Sequence, residues 1–179
     1  MNGCLPPSVA HWDRRSFLRL GAVALGAAAL PVWGVPRPLL AAGSTEALLL
    51  SCMDFRLMDD ITHYMDKRKL TNKYDHVILA GASLGAQTSK YPAWGETFWQ
   101  HLDVAIQLHH IHRVILLDHR DCGAYKVILG KDFGKDPAEE TKVHTEQLKK
   151  LETAIRAKHG DLGVDTLLMS LDGKVRQIT

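Results

Sequence analysis

From residue 46 onward, short apolar runs recur at intervals that leave room for a helix between them. They read EALLLS (46–51), HVILA (76–80), RVILLD (113–118) and TLLMSL (166–171). A run of this length with no polar alternation suits a strand covered on both faces. The intervening stretches change period. Residues 57–69 bring Leu57, Ile61 and Tyr64-Met65 to one side of a helix. Residues 94–110 do the same with Trp94, Phe98, Leu102, Ala105 and Leu108-His109, after Pro92. Residues 138–159 carry Val143, Leu148, Leu151 and Ile155, with Gly160 as a stop. Asp172-Gly173 turns the fourth run towards VRQI, a short last strand. This alternation predicts an α/β fold with a mostly parallel central sheet of four to five strands flanked by helices. Residues 44–179 are enough for a single domain with a real core.

The first 43 residues follow another pattern. Arg14-Arg15-Ser-Phe-Leu-Arg precedes LGAVALGAAAL (20–30), which is followed by prolines and by Ala41-Ala42-Gly43. A basic head, a short apolar middle and a small-residue end predict a secretory signal over 1–43. The arginine pair resembles a twin-arginine signal, the bacterial route for folded cargo, and implies a periplasmic or otherwise exported protein. The apolar stretch is short for a bilayer core of ~30 Å, so membrane contact is expected only in transit. Cys4 leaves with the signal.

The charge balance separates along the same boundary. The whole chain carries +2, but residues 1–43 hold four arginines against Asp13, which leaves −1 for the remainder. A nearly neutral body offers no basic face to a nucleic acid, and no such partner is expected.

In open α/β sheets, ligands gather at the carboxyl ends of the strands. The first run ends in Ser51-Cys52-Met53-Asp54-Phe55-Arg56, and the third in Asp118-His119-Arg120-Asp121-Cys122. Cys52, His119 and Cys122 can together hold one zinc ion with a fourth position free. Cys122 would open the next helix, whose positive end favours a thiolate. A disulfide, or two inert buried thiols, would also use both cysteines. Neither needs His119, Asp54 or Arg56, and export of a folded chain lets metal load before the thiols meet an oxidant.

C-x-D-x-R after one buried strand and H-x-x-C-G after another resemble the β-class carbonic anhydrases. The likeness spans most of residues 46–178, including Leu171-Asp172-Gly173-Lys174-Val175. It implies one Zn²⁺ per chain on Cys52, His119 and Cys122. It also implies a catalytic pair, in which Arg56 keeps Asp54 ionised and Asp54 orients the hydroxide that attacks CO₂ to give bicarbonate. Gly81 and Ala82 resemble the family's small-residue loop beside the pocket. A homodimer or higher homo-oligomer is expected, although only about three residues separate the presumed signal from Glu46, where relatives carry helical arms. Phe55 stands where relatives commonly have serine, and an aromatic ring there could narrow or dry the pocket. Alternatives on the same ligands are a COS/CS₂ hydrolase and a non-catalytic zinc-binding or redox-sensing protein.

Other polar residues suggest less. His109, His110 and His112 follow a helix end and are expected at the surface. His144 and His159 are expected to be solvated on their helix. Asp121 reads as a first-turn helix carboxylate, and Asp118 as a group that orients a ligand.

Overall fold

The computed structural model describes residues 44–179, so the proposed signal lies outside the described residues. In chain order the elements are β1 (Ala47–Ser51), a 3₁₀ turn (Phe55–Leu57), α1 (Met58–Lys67), β2 (Tyr74–Ile78), α2 (Ala82–Gly85) and α3 (Pro92–His109). Then come β3 (Arg113–His119), α4 (Gly123–Leu129), α5 (Pro137–Lys158), β4 (Gly163–Met169) and β5 (Val175–Gln177). The five strands form one sheet in the order β2-β1-β3-β4-β5. The first four are parallel, and β5 returns antiparallel beside β4. None of the described helices is long and apolar enough to cross a membrane.

The apolar runs produce two buried faces because successive side chains of a strand point opposite ways. Leu48, Leu50, Val114, Leu116 and Leu168 face one side, where Phe98, Leu102 and Ala105 of α3 meet Leu148, Leu151 and Ile155 of α5. Leu49, Ile115, Leu117, Leu167 and Met169 face the other, covered by Ile61 and Met65 of α1 with Leu57 before it. The helices begin and end where the local chemistry directs. Pro92 and Pro137 stand in the first turns of α3 and α5, and Asp136 caps α5 by accepting from the amides of Ala138 and Glu139.

Three differences from the sequence reading follow from packing. β2 is an edge strand in which only Val77 is buried, and it begins two residues earlier than its apolar run and ends at Ile78. Leu108 leaves the buried side of α3 and is half exposed. The buried stripe of α5 extends upstream through His144 and Glu140. His144 is therefore not solvated: it occupies a core position, for reasons that lie in the site.

β1 sits between β2 and β3, so the connections leaving the sheet's carboxyl edge diverge on either side of β1. A crevice opens at such a reversal point. Ser51 pairs in register with Leu117, which places Cys52 and His119 on neighbouring strand ends.

Candidate metal centre

Cys52 follows the last residue of β1, His119 ends β3, and Cys122 is the N-cap of α4. All three are buried, and one ligand atom from each lies within 4.8 Å of the others. The two sulfurs are 3.8 Å apart and both cysteines are free thiols. His119 approaches the carbonyl oxygen of Arg120 through Nδ1 at 2.8 Å. A carbonyl only accepts, so Nδ1 carries the proton and Nε2 keeps its lone pair. That Nε2 is buried and has no hydrogen-bond partner. A buried acceptor without a donor is costly, and both cysteine sulfurs lie within 4.8 Å of the ligand nitrogen of this histidine. The donor set, one imidazole nitrogen and two sulfurs converging in a dry place, fits a thiophilic divalent cation.

The electrostatics agree. The hydrogen bond from the Cys122 thiol draws the Cys52 thiol down, against the opposing effect of burial. His119 and the Gly81 amide pull it further down. The hydrogen bond with Cys52, then burial, then the Cys52 charge push the Cys122 thiol up. Two touching sulfurs cannot both ionise unaided, and a dication between them would remove the conflict. The amides at the start of α4 favour a Cys122 thiolate, as the sequence suggested, but the neighbouring sulfur outweighs them.

A tight loop backs Cys52. The Gly81 amide donates to its sulfur at 3.3 Å. Gly81 has φ +79, and a Cβ at Gly85 would meet the carbonyl oxygen of Ala80 at 2.3 Å. Glycine is needed at 81 for conformation and at 85 for space.

Asp54 stands over this group but belongs to Arg56. Nε and Nη2 of Arg56 donate to its two oxygens at 3.0 and 2.8 Å, and the Arg56 amide donates at 3.0 Å. These hydrogen bonds hold the Asp54 carboxyl down at about 2. Nε2 of His119 is 3.8 Å from Asp54 Oδ2, beyond hydrogen-bond reach.

The carboxylate expected at the helix start, Asp121, has another partner. It adopts φ +55 one residue before the cap, and its side chain accepts from Nη1 of Arg56 at 2.9 Å while its carbonyl accepts from Nη2 at 3.0 Å. Arg56 is thus gripped from both sides.

Asp118, expected to orient a ligand, makes no such contact. It is 1 % exposed and gathers donors from Ser83, Tyr125 and His144. No pattern of charged residues singles out this cluster. The helical spacing 144, 148, 151, 155 nevertheless places His144 on the buried stripe.

His109 binds Asp75, and the histidines at 109–112 form no metal-binding group among the described residues. Two cavities flank the Asp54–Phe55 loop. One of about 500 Å³ carries charged residues in its wall, Asp54, Arg56 and Glu140 among them, beside Cys122 and His144. The other, about 490 Å³, is walled largely by Tyr91, Trp94, Val127 and Ile128. Phe55 borders both, yet it is 87 % exposed, so it stands at the rim and does not dry the interior.

Comparison with known proteins gives the same direction. An uncharacterised protein of Rickettsia bellii is 41 % identical over 133 residues, covering 74 % of this chain and 81 % of that one. One from Rickettsia conorii is 41 % identical over 133 residues, covering 74 % and 72 %. Among solved structures, a β-carbonic anhydrase from a study of two tetrameric enzymes of Sordaria macrospora is similar at TM-score 0.48 and 15 % identity, over 79 % of this chain and 84 % of that one. The β-carbonic anhydrase CafA of Aspergillus fumigatus gives 0.44 and 16 %, over 78 % of each chain. The profile of the family described as "Putative carbonic anhydrase" matches residues 42–179, the whole sheet and every residue of the site. The chain that places two cysteines and a histidine at adjacent strand ends therefore belongs to this carbonic anhydrase family.

Proposed function

We propose that the protein is a zinc-dependent carbonate dehydratase that interconverts CO₂ and bicarbonate. One observation carries this reading: the unpartnered Nε2 of His119 converges with two thiols beside a carboxylate that an arginine already holds away from them. Zinc on Cys52, His119 and Cys122 would supply a Lewis acid that ionises water near pH ~7.

The chain's own residues do the rest. Ionised Asp54 has only acceptor oxygens, so it takes a hydrogen bond from the attacking oxygen and fixes which lone pair faces the CO₂ carbon. Arg56 keeps Asp54 charged and would hold its carboxylate off a metal bound by Cys52, His119 and Cys122, and Asp121 keeps Arg56 in place. The apolar cavity suits an uncharged linear substrate.

The same reading gives the molecule its setting. Residues 44–179 are the catalytic domain, and residues 1–43 are a twin-arginine signal that delivers it to the periplasm. Met53, Phe55 and Val127 are 64, 87 and 58 % exposed around the apolar cavity, a surface that a second copy would cover.

The test is metal content and turnover in one preparation. Mature protein expressed anaerobically should hold one zinc per chain and hydrate CO₂ in a stopped-flow assay, with COS and CS₂ run alongside. A Cys52–Cys122 disulfide without metal would sink the zinc reading. Zinc with turnover of COS or CS₂ alone would reassign the substrate, and zinc without any turnover would leave a binding protein.

A further inference from the structure

In the wall of the cavity of about 500 Å³, a single guanidinium serves two carboxylates. Nε and Nη2 of Arg56 donate to Asp54, while Nη1 donates to Oδ2 of Asp121 at 2.9 Å. The other acids of that wall each have a cation of their own. Asp132 takes Lys126 at 2.9 Å, and Glu140 takes Arg120 at 2.7 Å. Among the residues lining the cavity, the pair on Arg56 therefore carries a negative charge that no cation offsets. Asp54 and Arg56 alone would be neutral, so the surplus belongs to Asp121.

The place of Asp121 is built. Its backbone is left-handed, at φ +55, a conformation that aspartate accepts more readily than most residues. Its amide donates to the buried Glu140 carboxylate at 2.5 Å, and its carbonyl accepts from Nη2 of Arg56 at 3.0 Å. Gly134, in the loop between α4 and α5, leaves room for the side chain, because a Cβ there would meet Asp121 Oδ1 at 2.8 Å. The carboxylate so placed is half exposed and shares its cavity with Cys122. A divalent metal on Cys52, His119 and Cys122 would carry no net charge, since two thiolates offset it. The field met by a ligand that comes through this cavity then takes its sign from the surplus carboxylate.

We propose that Asp121 is a specificity-determining residue, whose charge makes the open position of the bound metal favour neutral ligands over anions. The inference rests on the metal reading above and concerns binding, not turnover. A neutral molecule meets no penalty from Asp121, whereas a small anion does, bicarbonate included. Selectivity here comes from a repulsive group set against the wrong ligand.

Asp121→Asn is the test, because asparagine keeps the size, suits the left-handed backbone and can still accept from Arg56, so that only the charge is lost. The full chain is loaded with cobalt(II), whose visible bands report what enters the open position. At pH ~6, below the range in which metal-bound water ionises, thiocyanate serves as the anion and triazole as the neutral ligand. At low salt, Asp121→Asn should bind thiocyanate about fivefold more tightly and triazole within about twofold of wild type, the scale of one partly screened charge. Added inert salt should close the thiocyanate gap. A residue that only braces Arg56 would shift both ligands together, and salt would not matter. Should Asp121→Asn fail to fold, Asp121→Gly, which also suits the left-handed turn, supplies the same comparison. Equal thiocyanate affinity in wild type and variant overturns the proposal, as does a gap that salt leaves unchanged or that triazole shares. A chain that takes up no cobalt overturns the metal reading and this inference together. Cobalt uptake without discrimination by charge overturns this inference alone.

Discussion

At the residue scale, a carboxylate two positions from a cysteine able to ligate a metal could occupy that metal or serve it, and at Asp54 the outcome depends on Arg56. Two side-chain donors and one amide already engage the carboxylate, and Asp121 braces the guanidinium. Asp54→Asn should therefore leave zinc bound, since Cys52, His119 and Cys122 remain, and should lower CO₂ hydration by a factor on the order of 10². Metal analysis beside stopped-flow turnover checks both halves, and full activity with full zinc would remove Asp54 from the mechanism. Arg56 and Asp54 were legible because their spacing from Cys52 is local. Asp121 was visible only as a helix-start acid, because its partner Arg56 lies 65 residues away and a single sequence shows no such pairing. Asp118 departs from its expected role for a related reason. Its position beside His119 suggested the ligand, but a strand turns neighbouring side chains to opposite faces. Asp118 therefore points to Ser83 and Tyr125.

At the scale of elements, the apolar runs were readable because hydrophobic burial dictates them, whereas their ends were set by hydrogen bonding that apolar patterning does not record. β4 begins at Gly163 because it pairs with β3 from Arg113 onward, although its first residues are mixed in character. α5 was read from Val143, Leu148, Leu151 and Ile155, yet its upstream stripe is polar, because Glu140 and His144 bury their heads against partners. The same cluster joins α4 to β3 and α5 through Tyr125. Burial, then the charge of Asp118, pushes the Tyr125 hydroxyl well above its ordinary range. A raised folded-state value means the folded form holds its proton longer than the unfolded chain. The stabilisation is complete below the unfolded value of ~10 and is lost as pH rises beyond it. Wild type should therefore lose stability steeply above pH ~10, and Tyr125→Phe, though weaker at neutral pH, should show a shallower slope there. Urea melts at pH 8, 10 and 11 measure this, and parallel slopes would refute it.

At the scale of the whole molecule, the order of strands was not legible, but its consequence was: both site motifs sit at carboxyl ends, and β1 and β3 prove to be neighbours. How the domain reaches its destination and what covers its open face belong to this scale too. If residues 1–43 direct folded export, replacing Arg14 and Arg15 with lysine should retain zinc-loaded protein in the cytoplasm. Fractionation with metal analysis reads this, and continued export would exclude the twin-arginine route. The open face is the stricter question. Met53, Phe55 and Val127 present exposed apolar side chains, and Tyr91 stacks on Trp94 in the wall behind them with ring centroids 4.3 Å apart. Exposed apolar groups clustered at the mouth of a cavity are costly in water, and burying them against a copy of the same chain recovers about 25 cal/mol per Å². A twofold contact would use this one surface twice and would place the partner against the apolar cavity. Phe55→Glu and Val127→Glu would each put a charge into that contact without touching the core, since both side chains point outward. Light scattering should then show mature wild type as a dimer or larger and the two variants shifted to monomer, with zinc retained. If wild type is monomeric at 100 µM, or if both glutamate variants assemble as wild type does, this face is not the interface.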